Sequence, residues 1–247
     1  MKPYLAGIKS YQHELGIECA AFADPRLEPM IPRIKRDHLE PERQIQTQLT
    51  QPHLLLLLRH LSRANYNDVA TRAAFTLAFA AFLRVVEFSY KQRDLTLGDA
   101  FPKWFLTKGS VKVQGRGAYI ELTLPSSKTD PFRKGIKLTI AASLDNPCPV
   151  CAMEEYLTRD THRPYQAPLF CIGSLEQEAF AREYDIHKLH GVASRAGLDY
   201  GMWNAHSFRR DAATWAAQVG ISETEIQTLG RWKSDPYKAY IEYSDTE

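Results

Sequence analysis

The residues of this chain best suited to chemistry lie near its C-terminal end. His206 and Arg209 are three positions apart, so a helix places both on one face. Further along is the run Gly230-Arg231-Trp232, and tyrosines then follow at Tyr237, Tyr240 and Tyr243. A guanidinium can hold two phosphate oxygens at once, an imidazole can move a proton, and a phenol can act as a nucleophile. This set favours nucleophilic attack on a phosphodiester.

Short helices are predicted to position these side chains. Asn204 can cap a helix that Gly220 ends, with His206 and Arg209 off the apolar stripe and free to point at a ligand. The stripe expected to face the core consists of Phe208, Ala212, Trp215 and Val219. Ser222 and Glu225 have capping-box spacing for a second helix, which closes at Gly230. Asp235-Pro236 is typical of the start of a last helix, which carries Tyr237, Tyr240 and Ile241.

Residues 52–92 are predicted to hold two helices, the second running over residues 70–90 and nearly all apolar. Arg84 and Glu87 interrupt that apolar run. An arginine in such a place is costly unless it is paired or bound to an anion. Two readings stay open: an Arg84–Glu87 salt bridge that holds the core, or Arg84 as a phosphate ligand supported by Glu87.

The C-terminal motifs together resemble the active-site half of the tyrosine recombinases of the phage-integrase type, and in particular the fungal members of Crypton mobile elements. That family has a HxxR motif, a His or Trp after a Leu-Gly turn, and a tyrosine eight or nine residues beyond it. Here these are His206, Arg209, Trp232 and Tyr240. An earlier arginine in an apolar helix matches Leu83-Arg84-Val85-Val86-Glu87, and a hairpin lysine matches Lys128 in Ser126-Ser127-Lys128-Thr129-Asp130.

The resemblance implies a role for each matched residue. Arg84 and Arg209 would bind the phosphate, His206 would share the proton of the nucleophile Tyr240, and Lys128 would protonate the leaving 5′ oxygen. Trp232 would donate a hydrogen bond or pack against the site, and Glu87 would support Arg84. Tyr237 and Tyr243 remain alternative nucleophiles. The product would be a 3′-phosphotyrosine, and the reaction would need neither metal nor cofactor.

The resemblance also implies a mainly α fold with a small antiparallel β-sheet (α+β), that of a tyrosine recombinase catalytic domain. We assign residues 52–247 to this domain. Residues 1–25 read as an amphipathic helix and a remnant of an N-terminal helical domain that clamps DNA, so the chain is expected to be a fragment or a shortened form. Residues 26–51, rich in proline and charge, are assigned to a linker.

Alternating apolar and polar residues over 100–142 predict the small antiparallel sheet, and that stretch is locally basic. Net charge is only +2, so any nucleic-acid footprint must be local. Double-stranded DNA is the expected partner, with self-association into a dimer or tetramer on it. The candidate DNA-binding cations are Arg33, Lys35, Arg36, Lys108, Lys112, Arg116, Arg133, Lys134, Arg210 and Lys233.

Composition excludes some classes of protein. With 247 residues and 44% hydrophobic content, the chain is long enough for a globular core. It has no apolar run of the roughly 20 residues that a bilayer span needs, so no membrane partner is expected. Cys148 and Cys151 lack further ligands at zinc spacing, and reduced thiols are the expectation. A eukaryotic member of the family would act in the nucleus, any other in the cytoplasm or nucleoid.

Three functions remain open from the sequence. The first is an active site-specific recombinase or transposase. The second is a nicking enzyme like the type IB topoisomerases, which have nearly the same catalytic set. The third is a domesticated DNA-binding protein that kept the fold and lost catalysis; the intact tyrosine argues against it, because binding alone does not require a phenol.

Overall fold

The chain divides into two units, Met1–Gln46 and Thr47–Glu247. The computed structural model describes residues 2–17, 20–26, 29–30, 48–125, 135–144, 147–173, 178–201, 203–204 and 206–232. In the first unit, helix α1 (Lys2–Glu14) is followed by a 3₁₀ turn at Ala20–Ala23. Ile8, Tyr11 and Leu15 are exposed.

Helices are the main regular elements in the described part of the second unit. They are α2 (Gln51–Arg59), α3 (Tyr66–Ala80), α4 (Val85–Phe88), α5 (Pro149–Arg159), α6 (Arg182–Arg195), α7 (Ser207–Gln218) and α8 (Glu223–Gly230). Two 3₁₀ segments, Gln92–Lys103 and Lys108–Ser110, lie before the first strand. In the described residues no helix is both long and apolar enough to cross a membrane.

The predicted antiparallel sheet is confirmed. Strands β1 (Val111–Gln114), β2 (Tyr119–Leu124) and β3 (Ile136–Ala141) pair in that order. Successive strand residues point to opposite faces, so Ile120, Leu122 and Leu124 are buried while their neighbours are partly or fully exposed. A separate pair joins β4 (Cys171–Ile172) to β5 (Glu178–Ala179).

One helix prediction is wrong: residues 70–90 are not one helix. Helix α3 ends at Ala80, Phe82 takes a left-handed backbone with φ 48°, and the single turn α4 begins at Val85. The Leu83 N–H donates to the Ala78 carbonyl (2.9 Å) and the Phe82 N–H to the Phe79 carbonyl (3.3 Å). These are the two bonds of a Schellman motif, whose left-handed position is usually glycine. The break turns the last carbonyls of α3 toward other parts of the chain.

The core lies around α3, whose residues from Val69 to Phe79 are buried with the exception of a half-buried Arg72. Phe208 of α7 packs against Phe75 of α3, with ring centroids 4.8 Å apart, and edge-on against Phe88 of α4 at 5.8 Å. The buried Asp211 carboxylate of α7 accepts the Leu49 N–H at 3.0 Å. These contacts hold α7 against α3, α4 and the residues just before α2.

Candidate active site

Four of the residues predicted from the sequence gather where the C-terminal ends of α3 and α8 meet α4 and the first turn of α7. They are Arg84, Glu87, Arg209 and Trp232. A continuous series of contacts joins them through the Phe82 carbonyl and the guanidinium of Arg231. Since the backbone carbonyls at a helix C-terminus carry partial negative charge, two helix ends here attract cations.

Arg209 is buried, which the sequence did not predict. Its Nη1 donates to the Phe82 carbonyl at 2.7 Å and its Nη2 donates to the Gly230 carbonyl. The side chain is thus in contact with the ends of both α3 and α8 rather than projecting from the apolar stripe. That stripe is also shorter than predicted: Phe208 and Ala212 are buried, but Val219 is 53% exposed. The face of α7 that carries Arg209 is buried because α7 packs against both α3 and α8.

Trp232 lies on the Arg209 guanidinium. The central carbon of that group is 4.4 Å from the indole ring centroid, which is the distance of a cation–π contact. The ring centroids of Trp232 and Phe82 are 6.4 Å apart. The indole folds back over Gly230 so closely that an added Cβ there would lie 1.6 Å from Trp232 Cζ3. Gly230 is therefore required for this packing.

The capping box predicted for α8 is confirmed. Ser222 Oγ accepts the Glu225 N–H at 3.3 Å, and Glu225 Oε2 accepts the Ser222 N–H at 3.1 Å. The helix closes at Gly230, and the next residue, Arg231, takes the left-handed conformation with φ 56°. The left-handed backbone at Arg231 therefore sets the direction in which the chain continues to Trp232.

Arg231 reaches the end of α3. Its Nη1 donates to the Ala81 carbonyl and its Nη2 to the Phe82 carbonyl, both at 3.1 Å, and Nη2 is 2.9 Å from Glu87 Oε2. The side chain is only 4% exposed. Burial lowers the pKa of Arg231, Glu87 opposes that shift, and the nearby Arg84 adds to it. Arginine keeps its charge at any working pH, so Glu87 lies beside a permanent cation.

Arg84 and Glu87 form the salt bridge that the sequence allowed. Arg84 Nη1 donates to Glu87 Oε1 at 2.9 Å, and the Arg84 backbone N–H donates to Glu87 Oε2 at 2.8 Å. The Arg84 side chain is 20% exposed, against 7% for Glu87. Within the described residues, its hydrogen bonds run from Nη1 alone, which leaves Nε and Nη2 without a protein partner there.

His206 lies at the start of α7 and is exposed. Its backbone N–H donates to Asn204 Oδ1 at 2.8 Å, and its carbonyl accepts the Arg209 N–H at 3.1 Å. Asn204 is thus three residues before Ser207, the first helical residue, and the residue next to the helix is His206. His206 and Arg209 share one helical turn, with the imidazole toward solvent and the guanidinium inside.

Other predicted site residues lie outside the described residues. For catalysis these are Lys128 and Tyr240, with the alternatives Tyr237 and Tyr243. The candidate DNA-binding cations outside them are Arg33, Lys35, Arg36, Arg133, Lys134 and Lys233.

The four other candidate DNA-binding cations are described. Lys112 on β1 and Arg116 in the turn after it are exposed on the sheet. Arg210 is half-buried, with Nε 2.5 Å from Asp211 Oδ1. Lys108 differs from all three, because its 11% exposed side chain donates to the carbonyls of Asp160 and Arg163 inside the protein. Lys108 is therefore not part of the surface basic patch.

Sequence reasoning did not assign Phe82 or Arg231 to the site. Nothing in the run Ala78-Phe79-Ala80-Ala81-Phe82 signals a helix end, because it contains no glycine, proline or capping residue. For Arg231 a signal existed: a cation directly follows a helix-ending glycine, where it can contact the last carbonyls.

In the described residues, no three His, Cys, Asp or Glu side chains gather as a metal site.

No family model matches the chain, and no curated protein matches it. Among solved structures, it is similar to the XerH site-specific recombinase bound to palindromic difH substrate in a post-cleavage complex. The TM-score is 0.56 at 13% sequence identity, over 84% of this chain and 52% of that chain. For XerH bound to difH substrate in a pre-cleavage complex, the TM-score is 0.53 at 14% identity, over 81% of this chain and 51% of that one.

The chain thus spans about half the length of these two structures. At such identities the similarity is one of fold, and it agrees with the helices and three-stranded sheet described above. The predicted fold class is confirmed: the chain has the mainly helical fold, with a small antiparallel sheet, of a tyrosine recombinase catalytic domain.

Proposed function

We propose that this chain cleaves and rejoins DNA strands through a 3′-phosphotyrosine intermediate, as the site-specific recombinase or transposase of a mobile element. The observation that carries the proposal is the charge of the network at the helix ends. Its described charged side chains are three guanidiniums, from Arg84, Arg209 and Arg231, and one carboxylate, from Glu87. Three positive charges and one negative leave two positive, which suits a phosphodiester anion.

A second buried arginine cluster shows the difference from a purely structural site. Arg163 is 1% exposed, and each of its side-chain nitrogens has partners inside the protein. Nε donates to Asp160 Oδ1 at 2.6 Å, Nη1 to the Pro168 carbonyl at 2.5 Å, and Nη2 to the Tyr156 hydroxyl at 2.7 Å. Arg84 is more exposed and bonded at Nη1 alone among the described residues. Arg84 therefore has donors for a ligand, and Arg163 does not.

The two arginines matched to the family motif would stabilise the transition state. Attack on a phosphodiester concentrates charge on the non-bridging oxygens, and guanidiniums held in place lower the barrier electrostatically. The carbonyls of Phe82 and Gly230 hold the Arg209 guanidinium in place. Glu87 keeps Arg84 oriented without being placed to contact substrate itself.

The remaining roles come from the family resemblance. The Tyr240 oxygen attacks phosphorus, the bond to the 5′ oxygen breaks, and Lys128 gives that oxygen a proton. A free tyrosine has a pKa of about 10, so His206 would accept or share its proton. The exposed imidazole at the start of α7 is open to such a partner. The 5′ hydroxyl of another strand then attacks the phosphotyrosine, and Tyr240 leaves as the DNA is resealed.

Double-stranded DNA is the proposed partner, with assembly into a dimer or tetramer on it. Lys112 and Arg116 support this because both are exposed, the first on β1 and the second in the turn that follows it. Contacts of this kind hold the phosphate backbone and make affinity fall with salt. They would position the duplex, while base contacts would select the sequence.

Covalent trapping tests the proposal. The protein is incubated with a library of nicked duplexes, denatured, and the adduct is mapped by mass spectrometry. We expect a phosphotyrosine peptide at Tyr240 that is missing in Tyr240→Phe and kept in Tyr237→Phe. We expect Arg84→Ala to lower the rate of adduct formation by about 100- to 1000-fold, as removing one oxyanion donor does elsewhere.

The matched control is Arg93→Ala, because Arg93 is 79% exposed and paired only loosely with Asp94 at 4.0 Å. It should change neither adduct formation nor DNA affinity. An adduct that persists in Tyr240→Phe would show that the nucleophile is another residue. Loss of binding in step with loss of cleavage in Arg84→Ala would mean that Arg84 only holds DNA.

A further inference from the structure

Arg231 occupies a backbone conformation that side chains rarely adopt. Its φ of 56° is left-handed, and the Trp232 N–H donates to the Gln227 carbonyl while the Arg231 N–H donates to the Thr228 carbonyl, both at 3.1 Å. Glycine usually occupies this position because it has no Cβ. A strained residue near a functional site calls for an explanation from its contacts.

The contacts of Arg231 connect both phosphate-binding arginines. Its Nη2 lies 2.9 Å from Glu87 Oε2, and the other oxygen of the same carboxylate accepts Arg84 Nη1. The same Nη2 donates to the Phe82 carbonyl, which also accepts Arg209 Nη1 at 2.7 Å. Arg231 thus shares one acceptor group with Arg84 and another with Arg209.

We propose that Arg231 is a positioning residue that fixes Arg84 and Arg209 as a pair, a role that rests on the proposed function of those two arginines. Arg231 is 4% exposed, so it acts through Glu87 and the Phe82 carbonyl and not on substrate. The role requires a planar fork, because one guanidinium meets two carbonyls and a carboxylate at once. A lysine ammonium is a point charge on a flexible stem and does not reproduce this geometry.

The test uses Arg231→Gly and Arg231→Lys. Glycine removes the guanidinium and also relieves the left-handed strain, whereas lysine keeps the charge without the fork. We expect both variants to keep DNA affinity and to form the phosphotyrosine adduct about 100-fold more slowly, because small displacements of catalytic groups have costs of that order. If Arg231→Gly does not fold, Arg231→Lys still tests the fork.

Guanidinium ion at low concentration distinguishes positioning from a general structural role. In Arg231→Gly it should enter the vacated space beside Glu87 and restore the rate, whereas methylammonium at the same ionic strength should not. The Arg93→Ala variant should respond to neither ion. Rates equal to those of the parent in both variants, or equal losses of binding and cleavage, would overturn the proposal.

Nitrogen-15 NMR of the arginine Nε–H groups gives a readout without DNA. In Arg231→Gly and Arg231→Lys, we expect the Arg84 and Arg209 signals to shift and their Nε–H exchange with water to quicken. The Arg163 signal should stay, because its Nε is bound to Asp160 in a separate network. Unchanged Arg84 and Arg209 signals would refute the positioning role whatever the activity. Changed signals with no adduct in the parent protein would instead refute the proposed function and leave the positioning role intact.

Discussion

Four of the helices described in the second unit end with the same pair of hydrogen bonds. Two of them have glycine in the left-handed position after the helix, and two have another residue there. Helices α6 and α7 end at Gly197 and Gly220, with φ of 68° and 86°. Helices α3 and α8, which meet at the candidate active site, end with Phe82 and Arg231 in the left-handed position, with φ of 48° and 56°. The backbone geometry is alike, so the difference lies in the side chains.

The glycine ends fit a purely local explanation. A Cβ added at Gly197 or Gly220 would meet nothing within 4 Å, so only the backbone angle favours glycine there. At the other two ends a side chain is kept despite a cost of roughly 1–2 kcal/mol each. Phe82 contacts the Trp232 ring, and Arg231 reaches Glu87. The strained left-handed backbone therefore occurs at the two helix ends whose next side chain makes contacts in the candidate active site.

Glu87→Gln should strongly destabilise this arrangement. The carboxylate is the acceptor that Arg231 and Arg84 share, and an amide would turn a donor toward one of them. Removing one partner of a buried ion pair costs about 3–5 kcal/mol, and we expect a loss of that size in the free energy of unfolding measured in urea.

Glu121→Gln is the matched control for Glu87→Gln. Its carboxylate is partly exposed and is 3.7 Å from Nζ of the exposed Lys137, so a loss of about 0–1 kcal/mol is expected. Equal small losses at both positions would show that the contacts at the strained ends contribute little to stability. Contacts of the side chains at Phe82 and Arg231 would then not explain why these two helix ends lack glycine.

The sequence predicts features whose causes are local. Ser222 and Glu225 lie within one turn, and the alternation of β2 is visible residue by residue, so the capping box and the sheet could be predicted. The i, i+3 pairing of Arg84 with Glu87 is local in the same sense. Such features follow from rules of spacing within one element.

The position at which α3 ends depends on residues that are distant in the sequence. Phe82 accepts hydrogen bonds from Arg209, 127 positions on, and from Arg231, 149 positions on. Two guanidiniums stabilise carbonyls that a continuous helix would have paired within itself. No window of sequence around Phe82 contains that information, and for the same reason the burial of Arg209 could not be predicted. Tertiary contacts here override helix propensity.

Phe82 offers a direct measurement of the strain. Phe82→Ala removes a buried ring and keeps the left-handed Cβ, so a loss of about 3–5 kcal/mol is expected. Phe82→Gly removes the same ring and relieves the strain, and it should be less destabilised than Phe82→Ala by about 1 kcal/mol. Both values come from urea unfolding of the two variants. A glycine variant less stable than the alanine variant would mean that the conformation at Phe82 costs nothing.

Gly220→Ala and Gly197→Ala make the converse change and should have the smallest effects. Each adds a Cβ in open space at a left-handed residue, so strain alone should cost about 1–2 kcal/mol. Gly191→Ala, within α6 and without positive φ, is the control, and alanine there should stabilise by about 0.5–1 kcal/mol. Opposite signs at Gly191 and Gly197 on one helix would isolate the backbone angle as the cause. If alanine also stabilised the protein at Gly197, left-handed ends would tolerate side chains freely, and Phe82 and Arg231 would then need no special explanation.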